Sequence, residues 1–222
     1  WYKGVTVMSI NCIRSLLEDA VQSHSDKTAL LFNGKGMSYG ELFSRVDQVA
    51  CYLVELDLPR NSRIGVYSNK GMEQVIAILA ILSTDHVLVP LTRLLKPEQV
   101  EYIINDCDIQ CIITDRVKLE SIEEIQFEGQ VISYESVGKD VASFDEIYKY
   151  YNKPYSCDIS GHNNAVITFS FGLTGTPKGI VISHRNLIDS ARVVSQYLKL
   201  EQDDVISSIL MFNLDYGLNQ IF

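Results

Sequence analysis

The sequence predicts an α/β fold in which helices lie in layers on a mostly parallel sheet. Two observations carry this prediction. Several short runs carry apolar residues on both faces of a strand, as in "RIGVYS", "HVLVPL" and "QCIIT", and helical segments of about ten to fifteen residues alternate with them. Strands of this kind are buried on both faces, which parallel sheets achieve through their crossover helices. A chain of 222 residues, 46% of them apolar, can bury such a core.

The elements follow in order from the N-terminus. Apolar residues recur at helical spacing from Ile10 to Val21, and "TALLFNGKGMSY" predicts two strands joined by an Asn33-Gly34 turn. Ser38 and Glu41 form a capping box that begins a second helix. Strands are then predicted at "RIGVYS", "HVLVPL" and "QCIIT", with helices at "MEQVIAILAIL" and from Pro97 to Ile104.

The pattern loosens after Thr114, and the domain boundaries are predicted there. "QVISYES" predicts a strand, "SFDEIYKYY" a short helix, and "NKPYSCDISGHNN" a polar linker, followed by two strands and a helix from Asn186 to Leu198. The predicted division is an N-terminal extension (1–9), an α/β subdomain (10–151), a linker (152–164) and the start of a second subdomain (165–222). Three aspartates around "QCIIT" are expected to be solvated, namely Asp106, Asp108 and Asp115.

Charge and cysteine content limit the classes of partner. The formal net charge is −9, so we expect neither nucleic acid nor a membrane surface as a partner. The five cysteines are odd in number and lack zinc-type spacing, which favours reduced, mostly buried thiols and a cytoplasmic protein. No apolar run approaches the twenty or so residues that a membrane span needs.

The stretch "FSFGLTGTPKGIVISHRN", Phe169 to Asn186, is the candidate functional motif. Its glycines let backbone N–H groups approach an anion, Thr174 adds a hydroxyl donor, and Lys178 adds a mobile charge. It is not a Walker A loop, because Lys178 is flanked by Pro177 and Gly179 and leads into a strand. Composition alone leaves two alternatives open, a phosphate-binding loop and a tight hairpin turn with a surface lysine.

The order of these residues resembles the phosphate-loop motif of the AMP-forming, adenylate-forming ligases. This family comprises acyl- and aryl-CoA synthetases, luciferases and amino-acid adenylation domains. Thr-Gly-x-Pro-Lys-Gly is followed by a strand and then "SHRNL", as in that motif. The segments "MSYGELFSRVDQVACYL", "RIGVYSNKGMEQVIAILAILSTDHVLVPL" and "LKPEQVEYIINDCDIQCIITD" resemble its early strands and helices, and "MFNLDYGLNQIF" the segment lining its acyl pocket.

The resemblance implies an ATP-dependent ligase that works with Mg²⁺. In the parent reaction a carboxylate attacks the α-phosphorus of Mg·ATP, pyrophosphate leaves, and the acyl group passes from the adenylate to a thiol of CoA or of a phosphopantetheinyl carrier protein. The resemblance places Thr174 and Lys178 on the β- and γ-phosphates, with Thr174 as a candidate Mg²⁺ contact. The nucleotide-binding residues that it implies are Ser170, Gly172, Thr174, Gly175, Thr176 and Lys178.

The sequence departs from the family pattern in two respects. Phe171 and Leu173 stand where the family carries hydroxyl residues, and each hydrogen bond lost to a charged partner is worth about 1.5–3 kcal/mol. The chain is also less than half as long as family members, so it resembles an N-terminal fragment, and the main catalytic residues are expected beyond Phe222. The alternative to a ligase is a non-catalytic nucleotide-binding or interaction module derived from this fold.

Phe212 and Asp215 are the candidate substrate residues. In "FNLDYG" the aspartate resembles the residue with which amino-acid-activating members hold a substrate ammonium group. The alternative is that Asp215 caps a helix beginning near Tyr216. His184 in "SHRN" is a candidate base, although its place at a helix start favours a structural role.

Overall fold

The computed structural model describes residues 11–138, 141–151, 155–156, 158–171 and 177–222, and of Phe171 and Asp215 it describes the backbone. These residues form a seven-stranded sheet flanked by helices and a separate two-stranded hairpin. The predicted α/β class with a mostly parallel sheet is confirmed. The predicted extension, residues 1–9, lies outside the described residues.

The first elements of the described chain are a helix, a hairpin and a second helix. These elements are α1 (Ile13–His24), β1 (Thr28–Phe32), β2 (Lys35–Ser38) and α2 (Tyr39–Glu55). Asn33 and Gly34 have φ values of 49° and 76°, as a type I′ turn requires. Ser38 Oγ accepts from Glu41 N at 3.2 Å, and Glu41 Oε2 accepts from Ser38 N at 2.9 Å. The hairpin and the capping box are therefore confirmed.

The remaining elements build the main sheet and its covering helices. They are β3 (Arg63–Tyr67), α3 (Met72–Leu82), β4 (Val87–Leu91), α4 (Pro97–Cys107), β5 (Ile109–Thr114), α5 (Arg116–Ile125), β6 (Gln130–Ser133), β7 (Ala142–Ser143), α6 (Phe144–Tyr150), β8 (Asn164–Phe171), β9 (Pro177–Ser183), α7 (His184–Leu198) and α8 (Asp215–Leu218). The strand order is β7-β6-β5-β3-β4-β8-β9, and β8 with β9 is the antiparallel pair.

The sheet separates two apolar cores. The larger core joins α1, α2, α3 and α6 on one face, and the smaller one joins α4 and α5 on the other. Every residue from Gln74 to Leu82 is buried, because α3 packs against α1, α2 and the strands. This burial explains why "QVIAILAIL" carries no polar face.

The strands on either side of the predicted linker belong to one sheet. Val166 of β8 pairs with Leu88 of β4 in parallel register, and β9 then pairs with β8. The polar stretch before β8 therefore connects parts of a single sheet. The division at 152–164 into two subdomains stays a prediction.

Candidate functional site

The carboxyl ends of the parallel strands define the edge of the sheet at which a ligand is expected. β3 ends at Tyr67, β4 at Leu91 and β5 at Thr114. Because β8 is parallel to β4, the connection that leaves β8 after Phe171 starts from this same edge. Open α/β sheets bind ligands outside the carboxyl ends of their strands. The candidate phosphate motif thus departs from the edge of the sheet at which folds of this class bind ligands.

Ser170 and Lys178 flank this connection. They are direct partners across β8 and β9, so their side chains project from the same face of the sheet. Both are exposed, and no carboxylate among the described residues forms an ion pair with Lys178. A hydroxyl donor beside an unpaired ammonium group suits an anionic ligand such as a nucleotide phosphate.

The rest of the predicted phosphate loop lies outside the described residues. This group comprises Gly172, Thr174, Gly175 and Thr176, together with Leu173. Their roles toward ATP, and that of Thr174 toward Mg²⁺, stay predictions. Within the described ranges, no group of three or more His, Cys, Asp or Glu side chains is arranged to hold a metal ion.

A groove of about 40 Å³ lies at the same edge of the sheet. It is bounded by residues that follow β3 and β4 and by the segment that precedes α8. Its lining includes Lys70, Gln74, Thr92, Arg93, Phe212 and Asn213. Phe212 is 4% exposed, and its ring centroid lies 4.3 Å from Lys70 Nζ. The structure therefore brings the predicted substrate residue Phe212 to the strand ends.

Asn213 is a groove residue that sequence reasoning missed. Its side-chain oxygen is buried and has no hydrogen-bond partner among the described residues. A buried acceptor of this kind is costly unless a ligand, a water molecule or another part of the fold donates to it. Its position directly after Phe212 was the only signal in the sequence. Asn213 is therefore a candidate contact for a donor group on the substrate.

Asp215 is the first residue of α8. Leu218 N donates to Leu214 O at 2.9 Å, which places Leu214 at the N-cap position of this short helix. The interpretation of Asp215 as the N-cap is therefore wrong. The side chain of Asp215 is not described, so its predicted contact with the substrate stays a prediction.

Asp115 contradicts the expectation that the aspartates around β5 are solvated. It is 6% exposed, and its Oδ2 accepts from Asn69 N at 2.6 Å and from Asn69 Nδ2 at 2.7 Å. Its Oδ1 accepts from Lys118 N at 2.8 Å and so caps α5. One carboxylate thereby connects the residue before Lys70 to the end of β5.

A second buried contact holds the same loop. Ser68 Oγ and Tyr134 Oη lie 2.9 Å apart, and both residues are buried. Burial raises the pKa of Tyr134, so its hydroxyl stays protonated and can donate. The backbone from Ser68 to Lys70 is therefore attached to both β5 and the end of β6.

His184 lies away from this edge. It follows β9, which runs back from the candidate loop because it is antiparallel to β8. Its side chain is 1% exposed, Nδ1 accepts from Ile13 N at 3.4 Å, and Nε2 has no partner among the described atoms. Burial lowers the pKa of His184 to about 4. These contacts support a structural role for His184.

No disulfide joins any two of the cysteines that the structure describes. Cys12, Cys107 and Cys111 are buried and Cys51 is half-buried, whereas Cys157 lies outside the described residues. Burial raises the pKa of Cys111 to about 12, so this thiol is not a nucleophile at neutral pH. In the described part of the chain, no helix has the length and apolar character that a membrane crossing requires.

Comparison with known proteins adds the family. The family described as AMP-binding enzyme matches residues 17–222. The chain belongs to this family. Among relatives of the AMP-binding chain, tyrocidine synthase 1 of Brevibacillus parabrevis is 23% identical over 210 residues, which cover 95% of this chain and 19% of the relative.

Solved structures share the fold of this AMP-binding chain. A benzoate CoA ligase from Burkholderia xenovorans LB400 matches with a TM-score of 0.84 and 21% identity over 94% of this chain and 42% of that chain. The NpsA N-terminal subdomain of Klebsiella oxytoca, in complex with 3-hydroxyanthranilyl-AMSN, matches with a TM-score of 0.77 and 19% identity. The match covers 95% of this chain and 50% of that chain. The chain thus has the fold of the N-terminal part of adenylate-forming enzymes and spans half or less of these solved chains.

Proposed function

We propose that this chain is the N-terminal part of an ATP-dependent, AMP-forming ligase. The enzyme activates a carboxylic acid as its acyl-adenylate and transfers the acyl group to the thiol of CoA or of a carrier protein. The observation that carries the proposal is that two features of an AMP-binding enzyme meet at one sheet edge. These are the connection flanked by Ser170 and Lys178 and the groove that contains Phe212.

The nucleotide side of the site uses the connection between β8 and β9. Lys178 donates to the β- and γ-phosphates, and backbone N–H groups from Gly172 to Gly175 cradle them. Thr174 would supply a hydroxyl to the phosphates or to the Mg²⁺ that would accompany ATP. Such contacts neutralise the charge that grows on the leaving pyrophosphate, which is the main requirement of phosphoryl-type chemistry.

The acid side of the site is proposed at the groove, whose volume of about 40 Å³ admits one polar group of the acid rather than the whole molecule. Lys70 and Arg93 are cationic, and the described lining contains no carboxylate. An ammonium group would therefore be repelled there unless Asp215 contributes a negative charge. We propose that the substrate is an amine-bearing acid whose ammonium group binds Asp215, in line with the resemblance of "FNLDYG" to amino-acid-activating members.

The phosphate role of Lys178 is tested by Lys178→Ala in the longest natural polypeptide that contains this chain. Loss of one charge-assisted hydrogen bond of about 1.5–3 kcal/mol should weaken ATP binding by roughly 10- to 150-fold. Titration calorimetry measures the affinity, and Lys35→Ala on the exposed hairpin is the matched control. Unchanged affinity for ATP in Lys178→Ala would show that the motif is a hairpin turn without a phosphate-binding role.

Acid activation is tested by carboxylate-dependent ATP–pyrophosphate exchange over a panel of amino and matched des-amino acids. A preference for the amino acid that disappears in Asp215→Asn supports the ammonium contact. Equal losses on both acids would exclude it. Nucleotide binding without exchange for any acid would instead support the alternative, a non-catalytic nucleotide-binding module.

A further inference from the structure

Lys70 joins two parts of the chain that are distant in sequence. It follows β3, and its Nζ donates to Ser208 O and to Leu210 O, each at 2.6 Å. The same ammonium group lies 4.3 Å from the centroid of the Phe212 ring, within the range of a cation–π interaction. One side chain thus contacts three positions of the segment that leads into the groove.

The segment that Lys70 contacts has little order of its own. Residues 205–210 lie in no helix or strand, and Val205 and Ile209 are 89% and 79% exposed. Apart from the two bonds from Lys70, their hydrogen bonds within the described chain reduce to one, from Ser208 Oγ to Gln220 Oε1 at 3.2 Å. Among the described residues, Lys70 therefore supplies most of the hydrogen bonds that hold this segment.

The backbone that carries Lys70 is by contrast firmly held. Asn69 is bound through its backbone and its amide to Asp115, and Ser68 contacts Tyr134 in the buried layer. Lys70 therefore holds the segment before α8 at a fixed place relative to the strand ends. Phe212 and Asn213 follow that segment after Met211, and these three residues line one side of the groove.

We propose that Lys70 is a positioning residue for binding of the acid: it holds residues 208–212 against the strand ends so that Phe212 and Asn213 form the groove. This inference rests on the proposed function, because it assigns the groove to the acid. This role requires the two hydrogen bonds that the Lys70 ammonium group donates, to Ser208 O and Leu210 O, and its positive charge over the Phe212 ring. The substrate itself need not touch Lys70.

The test compares Lys70→Met, which keeps a long apolar stem and removes the charge, with Lys70→Arg, which keeps the charge. Lys35→Met on exposed β2 is the matched control. In Lys70→Met we expect the KM for the acid to rise about tenfold or more, and the KM for ATP to change by less than about twofold. Lys70→Arg should recover part of the loss, since guanidinium groups also donate to carbonyls.

Hydrogen exchange provides a readout that does not need activity. In Lys70→Met, the segment from Met211 to Leu218 should open more often, so the hydrogen-bonded amides of Leu214 and Leu218 should exchange about tenfold faster or more, while β3, β4 and β5 keep their protection. Unchanged exchange in this segment would overturn the proposal, and so would an unchanged KM for the acid or equal rises in both KM values. A wild-type protein that activates no acid would overturn the proposed function, while the exchange measurement would still decide whether Lys70 holds the segment.

Discussion

At the residue scale, His184 makes a pH-dependent contribution to stability. Its pKa in the folded protein is about 4, against an ordinary value of 6.5, because burial disfavours the imidazolium. The folded state therefore favours the neutral ring, so the contribution is present above pH 6.5 and is lost as the pH falls towards 4. This difference between the two pKa values corresponds to about 3 kcal/mol in the free energy of unfolding.

We expect the free energy of unfolding to fall between pH 6.5 and 4 more steeply in the wild type than in His184→Gln. Urea denaturation at a series of pH values measures the difference. His162→Gln, a substitution at an exposed histidine, is the matched control and should follow the wild type. Parallel curves for wild type and His184→Gln would show that His184 does not titrate with folding.

Single residues also mark how far the sequence predicts the site. The positions of Ser170 and Lys178 could be predicted from the local sequence, because a glycine-rich connection between two predicted strands places the residues on either side of it at the strand ends. Asn213 and Lys70 could not be predicted, because their environment depends on contacts between residues such as Lys70 and Ser208 that are distant along the chain. Asp115 was misjudged for the same reason, since its partner Asn69 belongs to another strand–loop unit.

At the element scale, the helix boundaries that could be predicted were those marked by an N-terminal capping box or by a proline in the first turn. α2 begins where Ser38 and Glu41 exchange hydrogen bonds, and α4 begins at Pro97, as the sequence indicated. α1 begins at Ile13, later than its apolar period suggested, and α7 begins at His184 rather than Asn186. The N-cap of α1 is Cys12, a residue type that gives no capping signal in a sequence.

Asp115 gives a prediction about how elements are joined. Asp115→Ala removes the N-cap of α5 and leaves Asn69 N without its acceptor, so the protein should lose about 2–4 kcal/mol of stability. Asp108→Asn is the control, because asparagine tolerates the left-handed backbone of Asp108 (φ 50°), the Asp108 side chain is 74% exposed, and its ion pair with Arg63 is expected to contribute less than about 1 kcal/mol. Urea denaturation measures both variants, and equal losses would mean that Asp115 does not connect β3 to α5.

At the scale of the whole molecule, the fold class followed from the alternation of apolar strands and helices, whereas the sheet order did not. The pairing of Leu88 with Val166 joins strands separated by several helices, and local pattern carries no information about such a partner. This pairing also places the end of β8, from which the candidate phosphate loop departs, and the groove at one edge. The arrangement of the site is thus a property of the topology rather than of either motif.

The division of the site between this chain and the rest of the fold leads to the last prediction. The chain spans 42% and 50% of the two solved chains, and its described residues provide the flanks of the phosphate motif and one groove. The family resemblance implies that the adenine contacts, the acidic Mg²⁺ residue and the lysine that contacts the carboxylate lie beyond Phe222. Because the adenylation step needs all of these held in one geometry, the 222-residue chain alone should show no carboxylate-dependent ATP–pyrophosphate exchange.

The assay uses the purified chain over a broad panel of acids, with reactions lacking acid as background and Lys178→Ala as a control for contaminating ligases. Exchange above background that Lys178→Ala abolishes would show that these residues suffice for catalysis and that the implied division is wrong.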